Sequence, residues 1–205
     1  MSITAAEVKA LRTQTGAGMM DCKRALQESE GNMEKAVEIL RLKGQKVAAK
    51  RSDRDASEGV ILSGVSTDGK TGVVMSLNCE TDFVAQNADF ISVAQTLINM
   101  AIADGCESKD DLLSKNYPGS DMSVSEMIIN ETGKIGERIE IGAYHISKGE
   151  TVAAYIHPGN RLATVVGFSG DVESGVGRDV AMQAAAMAPV AVDQSQIPAD
   201  LIAKE

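Results

Sequence analysis

The sequence predicts an α+β chain: an N-terminal three-helix bundle, then a core of two similar α+β halves with antiparallel sheets. Three observations predict it. The first 44 residues carry helix caps and apolar residues at helical spacing, with no strand-like run. Beyond residue 58, runs rich in β-branched residues come in pairs joined by tight-turn residues. A helical stretch follows each pair, so the order hairpin-then-helix occurs twice.

The first helix opens on Thr4-Ala5-Ala6-Glu7, a capping box with Ile3 and Val8 as its hydrophobic staple. Its apolar stripe, begun by Val8 and Leu11, ends at Thr15-Gly16. A second helix presents Cys22, Ala25 and Leu26 on one face and stops at Gly31. Asn32 caps a third, in which Met33, Ala36, Val37 and Leu40 keep the helical period and Gly44 reads as its close. A core of this size is marginal, so residues 1–45 read as an appended docking module. The connection Gly16-Ala17-Gly18-Met19-Met20 sets two methionines beside a glycine turn. Flexible, polarizable Met side chains suit a protein contact, although at least one of the pair is expected to enter the bundle core.

Residues 46–57, with Lys46, Lys50, Arg51 and Arg54, read as a basic linker. Residues 58–143 then form a first core subdomain and 144–205 a second. In the first, Val60–Val65 and Gly72–Leu77 make a hairpin through Asp68-Gly69. A helix from Asn87 carries Ile91, Ala94, Leu97, Ile98 and Ala101 on one face and ends at Asp104-Gly105. A second capping box, Ser123-Val124-Ser125-Glu126, starts a helix toward Gly133, and Arg138–Ile141 alternates like a strand. In the second subdomain, Val152–His157 and Leu162–Ser169 pair around Pro158-Gly159-Asn160-Arg161, and a helix over 178–188 is stopped by Pro189. This copy lacks the further helix and strand of the first, so it is expected to be incomplete, its partner strands coming from a longer chain or another subunit.

Between the first hairpin and its helix lies Asn78-Cys79-Glu80-Thr81-Asp82-Phe83-Val84-Ala85, which sets a carboxylate and a large aromatic side by side. The chain has 3 Phe and no Trp, so an aromatic in a polar connection stands out, and connections tend to carry function. Spacing leaves two readings. Thr81 caps a helix, Asp82 favours its dipole and Phe83 turns into the core; or Phe83 faces outward.

Catalytic chemistry finds little support. His145 and His157 lie twelve apart, with no Cys or carboxylate at a metal-ligand spacing. Neither GxxxxGK[ST] nor GxGxxG occurs. Glu80 and Asp82 could form an acid/base pair but lack a nearby nucleophile. No cofactor or metal is therefore expected. The formal net charge is −9, split as +4 over residues 1–54 and −13 over 55–205; an acidic body disfavours nucleic acid as the main partner. The longest apolar run, Ala184–Val192 with Pro189 inside it, is too short to span a bilayer, and no secretory signal is expected. Cys22, Cys79 and Cys106, three thiols at scattered spacings, point to a reducing, cytoplasmic setting.

Two stretches resemble the signatures of the bacterial elongation factor Ts family: Leu11-Arg12-Thr13-Gln14-Thr15-Gly16-Ala17-Gly18-Met19-Met20-Asp21-Cys22-Lys23-Arg24-Ala25-Leu26, and Asn78 to Ala85. Lys134-Ile135-Gly136-Glu137 and Tyr155-Ile156-His157 fall where that family has similar motifs. The resemblance covers essentially the whole chain. It implies a guanine-nucleotide exchange factor for elongation factor Tu, not an enzyme, whose N-terminal bundle is ubiquitin-associated-like and docks on the nucleotide domain of Tu. It implies that Thr81, Asp82, Phe83 and Val84 insert beside the Tu Mg²⁺ site, that Arg12, Met19 and Met20 contact Tu, and that His157 lies near the Tu contact surface. Tu is bound both with GDP and free of nucleotide, with a homodimer or a 2:2 complex left open. The turn after His157 departs from the family pattern, which leaves the exact role of His157 open, and the pair Gly142-Ala143 is a second departure. A non-catalytic helix-bundle adaptor is the alternative reading, and an enzyme using Glu80, Asp82 and a His a third.

Overall fold

The computed structural model describes residues 3–202. Thr4 caps α1 (Ala5–Thr15) with the full capping box, and Gly16 ends it in the left-handed conformation. Helices α2 (Met19–Glu28) and α3 (Met33–Arg51) follow, α3 capped by the Asn32 side chain. Val8, Leu11, Cys22, Ala25, Leu26 and Ala36 form the bundle core, flanked by Ile3, Met33, Val37 and Leu40. This is the face that the helical period predicts.

Two expectations for this region fail. Gly44 does not close the third helix: α3 runs through it to Arg51, so Lys46, Lys50 and Arg51 ride on helix. The glycine serves close packing instead. A Cβ on Gly133, in α7 (Val124–Ile135), would lie 2.3 Å from the Gly44 Cα, so the two helix backbones meet where neither carries a side chain. Nor does either methionine enter the core. Met19 and Met20 are the first two residues of α2 and are 50% and 64% exposed. Cys22, Ala25 and Leu26 already fill the inward face of that helix.

Strands β1 (Glu58–Val65), β2 (Thr71–Cys79) and β3 (Glu140–Lys148) form a three-stranded sheet in the order β1-β2-β3. Between β2 and β3 come the short α4 (Asp82–Ala85), then α5 (Ala88–Ala103), α6 (Lys109–Ser114) and α7. The helix α6 has no counterpart in the sequence expectations; six residues give too short a period to read. Ser123 caps α7 with its capping box and Gly136 ends it at φ +81°. A second, two-stranded sheet pairs β4 (Thr151–Ile156) with β5 (Ala163–Phe168) antiparallel, Thr151 opposite Phe168 and Ile156 opposite Ala163. The helix α8 (Ser174–Met187) starts one turn earlier than expected. It packs on this hairpin through the small residues Gly177, Ala181 and Ala185, and Thr164 Oγ1 donates to the Ala181 carbonyl at 2.6 Å. The chain is thus α+β, with N-terminal helices and antiparallel sheets.

The chain divides into two compact units. One takes in residues up to Val60, Ser76–Leu97 and Cys106–Ala143; the other Ile61–Met75, Ile98–Gly105 and the chain from Tyr144. No helix among the described residues is long and apolar enough to cross a membrane.

Candidate functional site

The stretch singled out in the sequence is a strand end followed by one helical turn. Strand β2 ends on Cys79, whose thiol is buried and donates to the Thr81 carbonyl at 3.2 Å. Burial, with the negative charge of Glu137 as a second cause, pushes this thiol up to about 11. It therefore stays protonated and behaves as a small packed group.

Thr81 is the N-cap of α4, its backbone extended at φ −127°. Its hydroxyl accepts from the Val84 N–H at 3.5 Å and donates to Glu137 Oε1 at 2.7 Å, while its N–H donates to Glu137 Oε2 at 3.0 Å. Both carboxylate oxygens of Glu80 accept from Arg51 Nη1, at 2.7 and 2.9 Å, and Oε1 also accepts the Arg138 N–H at 2.7 Å. The Arg138 N–H first, then Arg51, hold the Glu80 carboxyl below its usual range. A doubly held Glu80 with its carboxylate form favoured is suited to bracing and unsuited to exchanging protons at neutral pH. Arg138 also reaches the carbonyls of Ser52 and Arg54 and pairs with Glu140, at 2.6 Å, tying the end of α3 to the same place.

The first two residues of α4 are what this framework holds up. Asp82 is exposed, and its carboxylate stands in the first turn, where it favours the helix dipole. Phe83 is 84% exposed, whereas Phe90, seven residues on, is 3% exposed and Ala85 is buried. The reading in which Phe83 turns into the core does not hold. The buried side of this turn is taken by Ala85, and α5 supplies Phe90 to the interior. Val84 is half-buried.

Among the other sequence candidates, Arg12 is exposed in the last turn of α1, and Met19 and Met20 open α2; these share a unit with the Phe83 turn. His157 belongs to the second unit. It is exposed, its Nδ1 lies 3.0 Å from the Tyr155 hydroxyl, and its N–H donates to the Leu162 carbonyl at 2.8 Å. The turn after it is set by Gly159 at φ +90° and Asn160 at φ +57°. Sequence reasoning missed Arg51, Glu137 and Arg138. Their partners lie 29 to 58 residues away, and such pairings leave no local spacing to read. No group of His, Cys, Asp and Glu among the described residues could hold a metal ion.

The family described as elongation factor TS matches residues 80–205. The chain is 49% identical over 205 residues to elongation factor Ts of Christiangramia forsetii, covering 99% of this chain and 73% of that one. It is 47% identical to the same factor of Flavobacterium psychrophilum, at 100% and 74% coverage. Against that of Bacteroides fragilis it is 45% identical, at 100% and 61% coverage. Fold and matches together define a translation elongation factor. Within that class, the chain belongs to the elongation factor Ts family.

Proposed function

We propose that the chain binds elongation factor Tu carrying GDP and promotes GDP release and its exchange for GTP, with Asp82 and Phe83 as a wedge beside the Tu Mg²⁺ site. The observation that carries this reading is a phenyl ring 84% exposed on a turn anchored by hydrogen bonds from outside it, at the Thr81 N–H and at the Glu80 carboxylate. Solvent exposure of a fixed aromatic costs free energy that a partner surface recovers; burial of Phe contributes roughly 1.5–3 kcal/mol. Asp82 brings negative charge toward a site where metal and phosphates are held, which disfavours the bound diphosphate. No covalent step is needed. Exchange is differential binding: the factor binds nucleotide-free Tu more tightly than Tu·GDP, and GDP weakens the factor by the same ratio.

In this reading residues 1–45 are the docking module, with Arg12, Met19 and Met20 exposed for contact and neighbouring Thr81 and Val84 shaping the wedge. Residues 46–57 join that module to core subdomains 58–143 and 144–205, the second of which presents His157 to Tu. The protein acts in the cytoplasm, without nucleic acid or membrane as partner. Release of a fluorescent GDP analogue from Tu tests the reading. Substoichiometric chain accelerates release in repeated turnovers. Binding to Tu with an unchanged off-rate would instead make the chain an adaptor.

A further inference from the structure

One carboxylate from outside the Phe83 turn supplies what the turn's own sequence lacks. Helix α4 has four residues, far below the length at which a helix holds alone. A capping box would complete its N-terminus with Glu or Gln at the third helical residue, whose side chain returns to the N-cap N–H. Here that residue is Val84. Glu137 takes the role from 56 residues away: Oε2 accepts the Thr81 N–H, and Oε1 accepts the Thr81 hydroxyl proton, which turns the hydroxyl lone pairs toward the Val84 N–H. The arrangement is reciprocal. Glu80 and Thr81 face Glu137 and Arg138, and each pair gives a backbone N–H to the other's carboxylate.

We propose that Glu137 is a positioning residue for nucleotide exchange, completing in space the cap of the turn that carries Asp82 and Phe83. The proposal rests on the exchange reading above and adds to it a residue that touches neither nucleotide nor metal. Glu137→Gln keeps the size of the side chain but loses the charge and one acceptor: its amide oxygen can take the Thr81 N–H, while its N–H₂ can only donate to the Thr81 hydroxyl, reversing that bond. Removing a charge-assisted hydrogen bond of this kind slows GDP release roughly tenfold.

The experiment measures release of fluorescent GDP from Tu for the full chain, Glu137→Gln, Phe83→Ala and the double variant, with circular dichroism on each. The proposal expects Glu137→Gln to fold and to release GDP roughly tenfold more slowly, as one charge-assisted bond requires. It expects the double variant to lose less than the two single losses combined, because Glu137 acts in part through the ring. An unmodified rate for Glu137→Gln overturns it, as does a full additional loss in the Phe83→Ala background, which a general structural role would give. An unmodified rate for Phe83→Ala removes the exchange reading itself and this proposal with it, so the two failures are distinguishable. Should Glu137→Gln not fold, Thr81→Val removes only the hydroxyl half of the clasp; a several-fold slower release supports the proposal and an unmodified rate overturns it.

Discussion

The two hairpin-then-helix stretches differ most in the few residues that join strand to helix. After β2, eight residues from Glu80 to Asn87 carry an extra helical turn, a Thr81 cap and an exposed aromatic. After β5, Ser169–Glu173 leads directly into α8, whose N-cap Glu173 makes no side-chain cap hydrogen bond. The Val172 N–H there donates to Thr151 Oγ1 at 3.2 Å, a single bond where the first connection has a reciprocal clasp. Hairpin and helix pack by apolar periodicity in both stretches. What singles out the first connection is polar: two glutamates and two arginines hold a turn that could not stand by itself.

The largest expected break in this comparison comes from Phe83→Ala. The ring is exposed, so thermal stability stays within about 0.5 kcal/mol of the unmodified chain. GDP release slows by roughly ten- to a hundredfold, the loss of about 1.5–3 kcal/mol of apolar burial in the complex. Paired melting curves and release rates check both halves.

Next is Gly133→Ala, which attacks the support of the turn. Of the helices that meet at Gly44 and Gly133, α3 ends in Arg51, and Glu137 and Arg138 follow the Gly136 cap of α7. A methyl 2.3 Å from the Gly44 Cα forces backbone apart, costing about 1–3 kcal/mol by denaturant melting. Gly44→Ala is the control of opposite sign. Its Cβ would sit 3.6 Å from the Gly133 Cα, an ordinary contact, so it is neutral or stabilises by up to about 1 kcal/mol through helix propensity.

A smaller effect concerns pH. The folded pKa of Glu80 lies below its unfolded value because the Arg138 N–H and Arg51 favour the carboxylate. Its contribution is therefore complete above the ordinary Glu pKa of about 4.3 and drains away as pH falls through the lowered folded value. The melting-temperature gap between the unmodified chain and Glu80→Gln, clear at neutral pH, should close in strong acid. The smallest effect is on the other connection. Asp171→Ala, in the exposed lead-in to α8, should leave both GDP release and stability unchanged, the latter within about 0.5 kcal/mol.

What could be read in the sequence was what is encoded locally. The capping boxes at Thr4 and Ser123, the hairpin turn at Asp68-Gly69 and the inward face of α2 all follow from spacings of two to four residues. Gly44 was misleading because a glycine that ends a helix and one that admits a neighbouring backbone look alike until the neighbour is known. Met19 and Met20 show the limit of apolarity as a guide: the bundle core was already filled by other apolar residues. At the candidate site, the sequence pointed to Thr81, Asp82 and Phe83 but left the orientation of the ring open. The clasp through Arg51, Glu137 and Arg138 stayed hidden because hydrogen bonds and ion pairs between distant residues have no period.

Whether the Asp82–Phe83 turn drives exchange is decided by the rate at which fluorescent GDP leaves Tu in the presence of substoichiometric chain, compared with its Asp82→Ala/Phe83→Ala double variant. The unmodified chain should turn over many Tu molecules, while the double variant, folded and melting at the same temperature, should leave the intrinsic off-rate unchanged. Equal acceleration by the two chains would contradict it.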